Sequence, residues 1–281
     1  ELLMPSDIND AAVLDNAVQM PWLGLGTWKV FDDAEAQRSV EWALEVGYRH
    51  IDTAAVYQNE EGVGRGVRSS GVLREQIFVT TKVWNDDIRA GRDAVLRAYD
   101  ASLRRLGLDY ADLYLVHWPV KGMYKEAWSA LEELYAAKRV RAIGVSNFLI
   151  QHLEDLLKDV KVVPMVNQIE FHPQLMQRPL LDYCRRHRIQ LEAWAPLMQG
   201  AIFDIPLMKE LAGKYNKSIA QVAIRWQLQH GVVTIPKSTK RNRIEENADV
   251  FDFTISPEDM QRIDALDKDQ RVGAHPDKIT F

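Results

Sequence analysis

The sequence predicts an α/β protein built as a (β/α)8 TIM barrel with an N-terminal β-hairpin and two extra helices. One observation is the length, because 281 residues suit either one α/β barrel or two smaller domains. Another is the regular alternation of short apolar runs with longer amphipathic segments, in which eight apolar runs can be counted. No flexible linker or shift in composition marks a boundary, so we expect residues 1–281 to form a single domain.

The eight runs are typical of buried parallel strands, because they are rich in Val, Ile, Leu and Tyr and lack strict polar alternation. Ahead of them, Asp15 and Asn16 separate two short runs, which predicts a hairpin that plugs the bottom of the barrel. The predicted strands are 23–27, 48–54, 77–83, 111–118, 141–147, 164–171, 189–197 and 232–238.

The amphipathic segments between the runs predict helices. Residues 92–107 repeat apolar side chains at three- and four-residue spacing and end at Gly107, a residue typical of a helix C-terminus. Residues 124–140 and 148–159 have the same character. Four further helices are predicted around the eighth strand, two before it (206–216 and 218–231) and two after it (241–250 and 257–267).

A doubly wound α/β sheet would show the same alternation, but its dinucleotide fingerprint, G-x-G-x-x-G, is absent. The nearest match, Gly62 to Gly66, lies in a helix-like segment and has the wrong spacing. A P-loop, an HExxH zinc motif and a GxSxG nucleophile elbow are absent as well. A nucleotide bound by this chain would therefore be bound in another way.

The composition excludes several classes of function. Lys and Arg total 35 against 40 Asp and Glu, and a net charge of −5 gives no broad basic face for a nucleic acid. The single cysteine, Cys184, rules out an internal disulfide and a multi-cysteine metal cluster, and we predict no metal site. No apolar run approaches the ~18 residues of a membrane helix, and no signal sequence is evident. We expect a cytoplasmic monomer without nucleic-acid or membrane partners.

Four titratable side chains fall where a barrel carries its chemistry, at the carboxyl ends of the strands and in the following loops. Asp52, Lys82 and His117 end three consecutive strands, and Tyr57 follows Asp52 after a short loop. Each alone could be structural, as a helix cap, a paired buried lysine, a core histidine or a loop aromatic. Together they favour acid–base chemistry, since Lys82 needs an anion and would lower the pKa of a nearby Tyr57 toward neutral pH.

This group predicts the reduction of a carbonyl compound by an external hydride donor. His117 would hold the substrate oxygen near Tyr57, which would act as the general acid. No protein nucleophile is evident, although Lys82 acting as the Schiff-base lysine of an aldolase is another interpretation.

The later strands carry side chains that suit such a donor. Ser146, Asn147 and Gln168 could bind a carboxamide, although Asn167 and Gln168 could simply satisfy buried backbone groups. Trp194 could stack on a planar heterocycle or fill the core. A cluster of cations at the start of a predicted helix favours a phosphate over an ordinary solvated face. These cations are Lys237, Lys240, Arg241 and Arg243.

From about residue 13 to its end, the chain resembles the aldo-keto reductase family. The stretches that carry the resemblance are MPWLGLGTW, GYRHIDTAAVYQNEEGVGRG, VTTKVWN, DLYLVHWP, RAIGVSNF, MVNQIEFHP and IPKSTKRNRIEEN. Within the family the chain is most similar to microbial reductases of methylglyoxal, other small aldehydes and diketo-gluconate, including prostaglandin F synthase-like members. The resemblance implies NADPH or NADP as cofactor and a small carbonyl compound as substrate.

The resemblance also implies residue roles. It makes Asp52, Tyr57, Lys82 and His117 a catalytic tetrad, with Tyr57 as the proton donor. The implied cofactor residues are Thr27, Trp28, Asp52, Ser146, Asn147, Gln168, Trp194, Pro196, Leu197, Gln199, Lys237, Ser238, Arg243, Glu246 and Asn247, of which Lys237, Ser238 and Arg243 would hold the 2′-phosphate. The implied substrate residues are Trp28, Trp84, His117 and Trp118.

The chain departs from the family pattern in a few places. Ala195 stands where many relatives have serine, which removes a hydroxyl near the pyrophosphate, and Lys240 adds charge near the 2′-phosphate. Residues 118–124 and the tail after the last helix are short, so we expect an open substrate pocket with aromatic walls. An alternative function is an NADPH-sensing regulatory barrel without significant turnover, although no extra partner-binding segment is evident.

Overall fold

The computed structural model describes residues 4–281 and contains a ring of eight parallel strands. The ring follows chain order, because each of these strands pairs with the next one along the sequence. Its first and last strands meet through a bridge between Leu23 and Thr234, where the Gly24 N–H donates to the Thr234 carbonyl at 2.9 Å. The ring consists of β3 (Leu25–Gly26), β4 (His50–Asp52), β5 (Phe78–Val83), β6 (Ala111–Val116), β7 (Val140–Ser146), β8 (Val166–Glu170), β9 (Gln190–Trp194) and β10 (Val233–Thr234). Two strands precede it and form a separate sheet, β1 (Ala11–Val13) and β2 (Gln19–Pro21).

Helices follow the strands and cover the barrel, as the amphipathic segments predict. The predicted stop at Gly107 is confirmed, since this residue has φ 65° and its N–H donates to the Leu103 carbonyl at 2.8 Å. The α-helices are α1 (Asp33–Val46), α2 (Glu60–Ser69), α3 (Asn85–Arg89), α4 (Arg92–Leu106), α5 (Tyr124–Ala136), α6 (Ile150–Leu156), α7 (Arg178–Arg186), α8 (Pro206–Tyr215), α9 (Ile219–Gln229), α10 (Arg241–Ala248) and α11 (Pro257–Asp264).

The predicted hairpin is present and lies at the amino-terminal end of the barrel strands. β1 and β2 pair in antiparallel fashion, with Ala12 opposite a fully buried Met20. The hairpin contacts the barrel at the ends where the barrel strands begin. Asn16 Nδ2 donates to the Arg141 carbonyl near the start of β7 at 2.9 Å, and the Pro21 carbonyl lies 3.0 Å from Nδ1 of His50, the first residue of β4. It therefore closes the end of the barrel opposite the predicted chemistry.

The glycine-rich run of α2 serves helix packing. A Cβ atom at Gly62 would lie 2.3 Å from the Asp33 carbonyl oxygen of α1, and one at Gly64 would lie 1.9 Å from the Leu106 carbonyl oxygen of α4. Both positions therefore require glycine for α2 to approach its neighbours this closely.

Within residues 4–281, no helix is long and apolar enough to cross a membrane.

Candidate active site

The four predicted acid–base side chains meet at the carboxyl end of the barrel, around the ammonium of Lys82. Lys82 Nζ donates to Asp52 Oδ2 at 2.8 Å, to the Thr53 carbonyl at 3.0 Å and to Tyr57 Oη at 3.2 Å. Asp52 ends β4, Tyr57 ends a 3-10 turn that follows it, and His117 comes directly after β6. The ring of His117 meets that of Tyr57 edge-on at 5.9 Å between centroids.

Lys82 is fully buried and remains a cation. Burial alone lowers the pKa of Lys82, but the charge of Asp52 and the hydrogen bonds to Asp52 and Tyr57 outweigh it, so the pKa lies above its ordinary value. A Schiff-base lysine must lose its proton before it attacks a carbonyl. The ion pair therefore argues against the aldolase interpretation.

The pKa of Tyr57 is raised and not lowered as the sequence predicts. Burial raises the pKa of Tyr57, and the Lys82 ammonium offsets only part of that rise while the Asp52 carboxylate adds to it. The expectation of a phenol that titrates near neutral pH is therefore wrong, because desolvation of the phenolate outweighs the single nearby cation. Tyr57 keeps its proton at neutral pH, and since its oxygen accepts from Lys82, its own hydroxyl hydrogen is free to be donated.

His117 is a neutral imidazole. Burial, together with the charge of Lys82, lowers the pKa of His117 well below its ordinary value. Its Nδ1 atom is buried and has no hydrogen-bond partner within residues 4–281, while its backbone carbonyl accepts from Asn147 Nδ2 at 3.0 Å. A neutral ring of this kind can donate one N–H to a substrate oxygen without carrying charge into the site.

The three amide and hydroxyl side chains predicted to bind a carboxamide lie together beside Asp52. Gln168 Nε2 donates to Asp52 Oδ1 at 2.8 Å, and Ser146 Oγ donates to the Gln168 carbonyl at 2.7 Å. Asn147, with φ 65°, accepts at its Oδ1 from Trp194 Nε1 at 2.8 Å. The interpretation that Asn167 and Gln168 satisfy buried backbone groups is confirmed for Asn167, whose Nδ2 donates to the Phe148 carbonyl at 2.9 Å, whereas the Gln168 amide donates to a carboxylate.

The loop after β9 has an irregular backbone. Ala195, Met198 and Gln199 have φ values of 50°, 55° and 53°, in the left-handed region that residues other than glycine rarely adopt. Trp194, half-buried at the start of this loop, meets the exposed Trp28 ring edge-on at 6.3 Å. Other predicted cofactor residues lie nearby, with Thr27 Oγ1 donating to the Asp52 carbonyl at 2.8 Å, the Pro196 carbonyl accepting from Gln227, and Leu197 next along the loop.

The predicted basic cluster surrounds the amino terminus of α10. Lys240 is the residue before the helix, and no side chain caps the first turn. In the described chain, no carboxylate lies within 4 Å of the Lys237, Lys240 or Arg243 side-chain nitrogens, whereas Arg241 pairs with Glu45 and Glu245. Among the residues that the structure describes, the cluster therefore has three cations without a carboxylate partner and not four. Ser238 and Asn247 are buried on the same face, and Glu246 is half-buried.

The C-terminal tail crosses the mouth of the barrel, which the sequence did not indicate. The N–H groups of Val272 and Gly273 donate to the buried Glu170 carboxylate at 2.7 and 2.9 Å, and His172 Nε2 lies 2.7 Å from the same group. Gly273 lies against Trp194 so closely that a Cβ atom there would be 2.3 Å from the indole Cη2. The tail is therefore fastened directly over the predicted nicotinamide region.

Phe281 completes an aromatic wall beside His117. Its ring stacks on Trp84 at 5.8 Å with an interplanar angle of 8° and meets Trp118 edge-on at 5.3 Å. Asn85 Nδ2 donates to the Phe281 carbonyl at 3.2 Å, and Arg89 Nη2 donates to it at 2.6 Å. Trp84 and Trp118, two of the aromatic side chains predicted for this wall, are thus brought together beside His117, and the tail lies against them.

Sequence reasoning passed over Glu170 and Glu192, two buried carboxyl groups within the apolar strands β8 and β9. The signal that identified Lys82, a charged residue inside a buried run, applies equally to both. Nothing in the sequence around Phe281 indicates that it lies at the site, because its hydrogen-bond donors are distant in the chain. Arg89, for example, is 192 residues away.

Comparison with known proteins agrees with this geometry. The model of the aldo/keto reductase family matches residues 22–268. Glyoxal reductase of Bacillus subtilis (strain 168) is 58% identical over 278 residues, which cover 99% of this chain and 100% of the relative. An aldo-keto reductase from a Medee basin deep-sea metagenome library superposes with a TM-score of 0.93 at 45% identity, covering 96% of this chain and 100% of the other. A Bombyx mori aldo-keto reductase solved in complex with NADP superposes with a TM-score of 0.89 at 37% identity, covering 95% of each chain. This chain belongs to the aldo/keto reductase family.

Proposed function

We propose that this chain reduces small aldehydes and activated ketones, including methylglyoxal-like compounds, aromatic aldehydes and keto esters, to alcohols with NADPH, and that Tyr57 is its general acid. Family membership makes it an NADP-dependent oxidoreductase of carbonyl compounds. The observation that carries the mechanism is the buried Lys82 ammonium, which donates to both Asp52 and Tyr57. The similarity to a glyoxal reductase supports a small, reactive aldehyde as substrate.

The residues present fit a phosphorylated dinucleotide. No side chain of residues 4–281 caps the first turn of α10, and within the same residues Lys237, Lys240 and Arg243 have no carboxylate partner, in a protein of net charge −5. Charge-assisted contacts of this kind recognise a phosphate, so we assign the 2′-phosphate of NADPH to Lys237, Ser238 and Arg243. When bound, the reduced nicotinamide supplies the hydride.

The other end of the cofactor would be held at the mouth of the barrel. Ser146, Asn147 and Gln168 carry the amide and hydroxyl groups that suit a carboxamide, and the half-buried Trp194 offers a flat ring for stacking. The remaining residues assigned to the cofactor border the same path across the mouth. They are Thr27, Trp28, Asp52, Pro196, Leu197, Gln199, Glu246 and Asn247.

The chain's own residues divide the proton chemistry among them. The neutral His117 donates an N–H to the substrate oxygen and holds it near Tyr57. Tyr57 then transfers its proton to that oxygen, and the Lys82 ammonium, 3.2 Å away, stabilises the phenolate that remains. Asp52 keeps Lys82 charged. Because the cluster is shielded from water, these charge interactions are stronger than they would be in solvent.

The substrate would lie against the aromatic wall. Trp84, Trp118 and Phe281 form the contacts described above, and Trp28 stands on the opposite side near Trp194. These rings present apolar surface around one polar point at His117, which suits a small carbonyl compound. We further infer a single-domain cytoplasmic monomer without nucleic-acid partners, which the acidic net charge and the helix-covered barrel support.

A regulatory barrel that binds NADPH without significant turnover is the second candidate, because the cofactor features would serve it equally well. The assembled group of Asp52, Tyr57, Lys82 and His117 favours catalysis, since cofactor sensing alone does not require a proton donor. Many turnovers of NADPH per protein molecule with glyoxal or methylglyoxal would exclude the sensor.

Replacement of Tyr57 by Phe tests the proposal. We expect the rate of NADPH oxidation with methylglyoxal to fall about 10²–10⁴-fold, the usual contribution of a general acid, while NADPH affinity measured by fluorescence stays unchanged. The matched control is Tyr114→Phe, because Tyr114 is also fully buried and its hydroxyl has no hydrogen-bond partner in the described chain. A Tyr57→Phe enzyme as active as the Tyr114→Phe enzyme would refute the role of Tyr57.

A further inference from the structure

The barrel interior holds a second pair of titratable side chains that the mechanism does not use, His50 and Glu192. Both are fully buried, with His50 Nε2 3.5 Å from Glu192 Oε1. Glu192 is opposite Gln168 in the β8–β9 register, so the two side chains share the interior face, and Gln168 in turn donates to Asp52. His50 lies two residues before Asp52 on β4 and faces the same way. The pair therefore adjoins the polar cluster around Lys82.

The hydrogen bonds of His50 determine its tautomer. Its Nδ1 lies 3.0 Å from the Pro21 carbonyl, and since a carbonyl can only accept, Nδ1 carries the hydrogen. On a neutral ring Nε2 is then an acceptor, and it faces the Glu192 carboxyl group. In the described chain neither His50 Nε2 nor either Glu192 oxygen has a hydrogen-bond partner.

Burial of both groups favours a neutral imidazole facing a carboxylic acid over a buried pair of ions. A buried carboxylate without hydrogen-bond donors is costly, whereas a protonated carboxyl group can donate its O–H toward His50 Nε2. Burial and the charge of Asp52 raise the pKa of Glu192, the Gln168 amide and the charge of Lys82 lower it, and the balance of the four raises it to about 8. Burial also lowers the pKa of His50. Both groups are therefore neutral at pH 7.

We propose that Glu192 is a positioning residue for the reaction: held as a neutral acid against His50, it leaves Asp52 as the single negative charge beside the Lys82 ammonium. This inference rests on the proposed role of Tyr57. Loss of the Glu192 proton would place a second carboxylate near one ammonium, and that charge raises the pKa of Tyr57 and weakens it as an acid.

The charged groups that act on His50 and Glu192 lie on β4, β5 and β6, where the charge of Asp112 on β6 raises the pKa of His50 against the effect of burial. β4 contributes His50 and Asp52, β5 contributes Lys82, and β8 contributes the uncharged Gln168. On the other side of β9, the residue opposite Glu192 is Val233 of β10, which carries no charge. Ionisation of Glu192 is therefore opposed by one carboxylate and supported by one ammonium, and burial decides the balance.

Infrared spectroscopy tests the protonation state without turnover. We expect wild-type protein at pH 7 to show the carbonyl stretch of a protonated carboxylic acid, to lose it as pH rises through about 8, and to lack it in the Glu192→Gln variant. The control is Glu60→Gln, which removes a buried carboxylate that is salt-bridged to Arg105 on the outside of the barrel and should leave the band in place. Absence of the band from wild-type protein at pH 7 would overturn the proposal, whether or not the variant folds.

The pH profile tests the link to catalysis. We expect kcat for aldehyde reduction in wild-type protein to fall in two alkaline steps, the first near pH 8, and the Glu192→Gln enzyme to lack that first step. If Glu192 has only a structural role, the Glu192→Gln variant will be less stable but will keep both alkaline steps in kcat. That result would contradict the proposal. The infrared result does not depend on Tyr57, so a failure of the general-acid assignment is distinguishable from a failure of this one.

Discussion

Replacing Lys82 with methionine removes the cation at the centre of the candidate site while keeping a long unbranched side chain. The ammonium donates to Asp52 at 2.8 Å, to the Thr53 carbonyl at 3.0 Å and to Tyr57 at 3.2 Å, and both Lys82 and Asp52 are buried. After the replacement, the buried Asp52 carboxylate keeps Gln168 as a donor but has lost its counter-ion.

The expected cost is large because a buried charge is left unpaired. Removing one partner of a buried ion pair typically destabilises a protein by about 3–5 kcal/mol. The double variant Asp52→Asn/Lys82→Met removes the unpaired charge as well, so we expect it to be more stable than Lys82→Met alone, with non-additivity of about 1–3 kcal/mol. Both variants should lose about 10²–10⁴-fold in carbonyl reduction, since neither can stabilise the Tyr57 phenolate.

Urea unfolding at pH 7 followed by tryptophan fluorescence measures the free energy of unfolding, and NADPH oxidation measures the reduction. The control is Lys125→Met, because Lys125 forms exposed ion pairs with Asp155 and Asp159 that are screened by solvent and should matter much less. The reasoning is refuted if Lys82→Met is no less stable than this control, or if adding Asp52→Asn lowers stability further.

Three other predictions concern the tail, the cofactor and acid stability. Phe281→Ala should raise the KM for small aldehydes about 2–10-fold without changing NADPH affinity, since it removes one ring of the wall formed with Trp84 and Trp118, and one aromatic contact with a substrate is worth about 0.5–1.5 kcal/mol; an unchanged KM would contradict its place in the substrate wall. Arg243→Ala should weaken NADPH binding about tenfold or more and leave NADH binding unaltered, measured by fluorescence titration, because a charge-assisted contact contributes about 1.5–3 kcal/mol; an equal loss for both cofactors would contradict the phosphate assignment. Asp259, bonded to Lys214 and Arg262, has a pKa below its ordinary 3.8, so its stabilising effect is present above that value and is lost as pH falls below it. Asp259→Asn should therefore flatten the acid side of the stability–pH curve in urea titrations, and an unchanged curve would show that these bonds do not stabilise the fold.

Much of the candidate site could be predicted from local sequence. Lys82 stands inside an apolar run, and a lysine there requires an anion, which the structure supplies in Asp52 from the adjacent strand. The cations at α10 could be located because a strand end followed by a helix start is visible in the pattern of residues. Periodicity repeats over a few residues, so short-range sequence is enough to reveal it.

Other features depended on partners far away in the chain. Arg241 was counted among the free cations, but Glu45, 196 residues earlier, neutralises it. The glycines of α2 were noted only as a failed nucleotide motif, and their reason appears when α1 and α4 are seen to touch them. A pairing of this kind leaves no trace in local composition.

The order of strands and helices was already determined by the amino-acid sequence, as was the placement of Asp52, Lys82 and His117 at strand ends with Tyr57 in the loop that follows Asp52. Strand and helix periods are set by neighbours along the chain, so local sequence is enough to reveal them. The tertiary structure alone decided which protonation states those side chains adopt and what covers them. The pKa of Tyr57 is a balance between burial, one cation and one anion, and the sign of that balance depends on distances that no local pattern contains. The tail lies over the site for the same reason, since Glu170 and Trp84 meet it only once the barrel has closed.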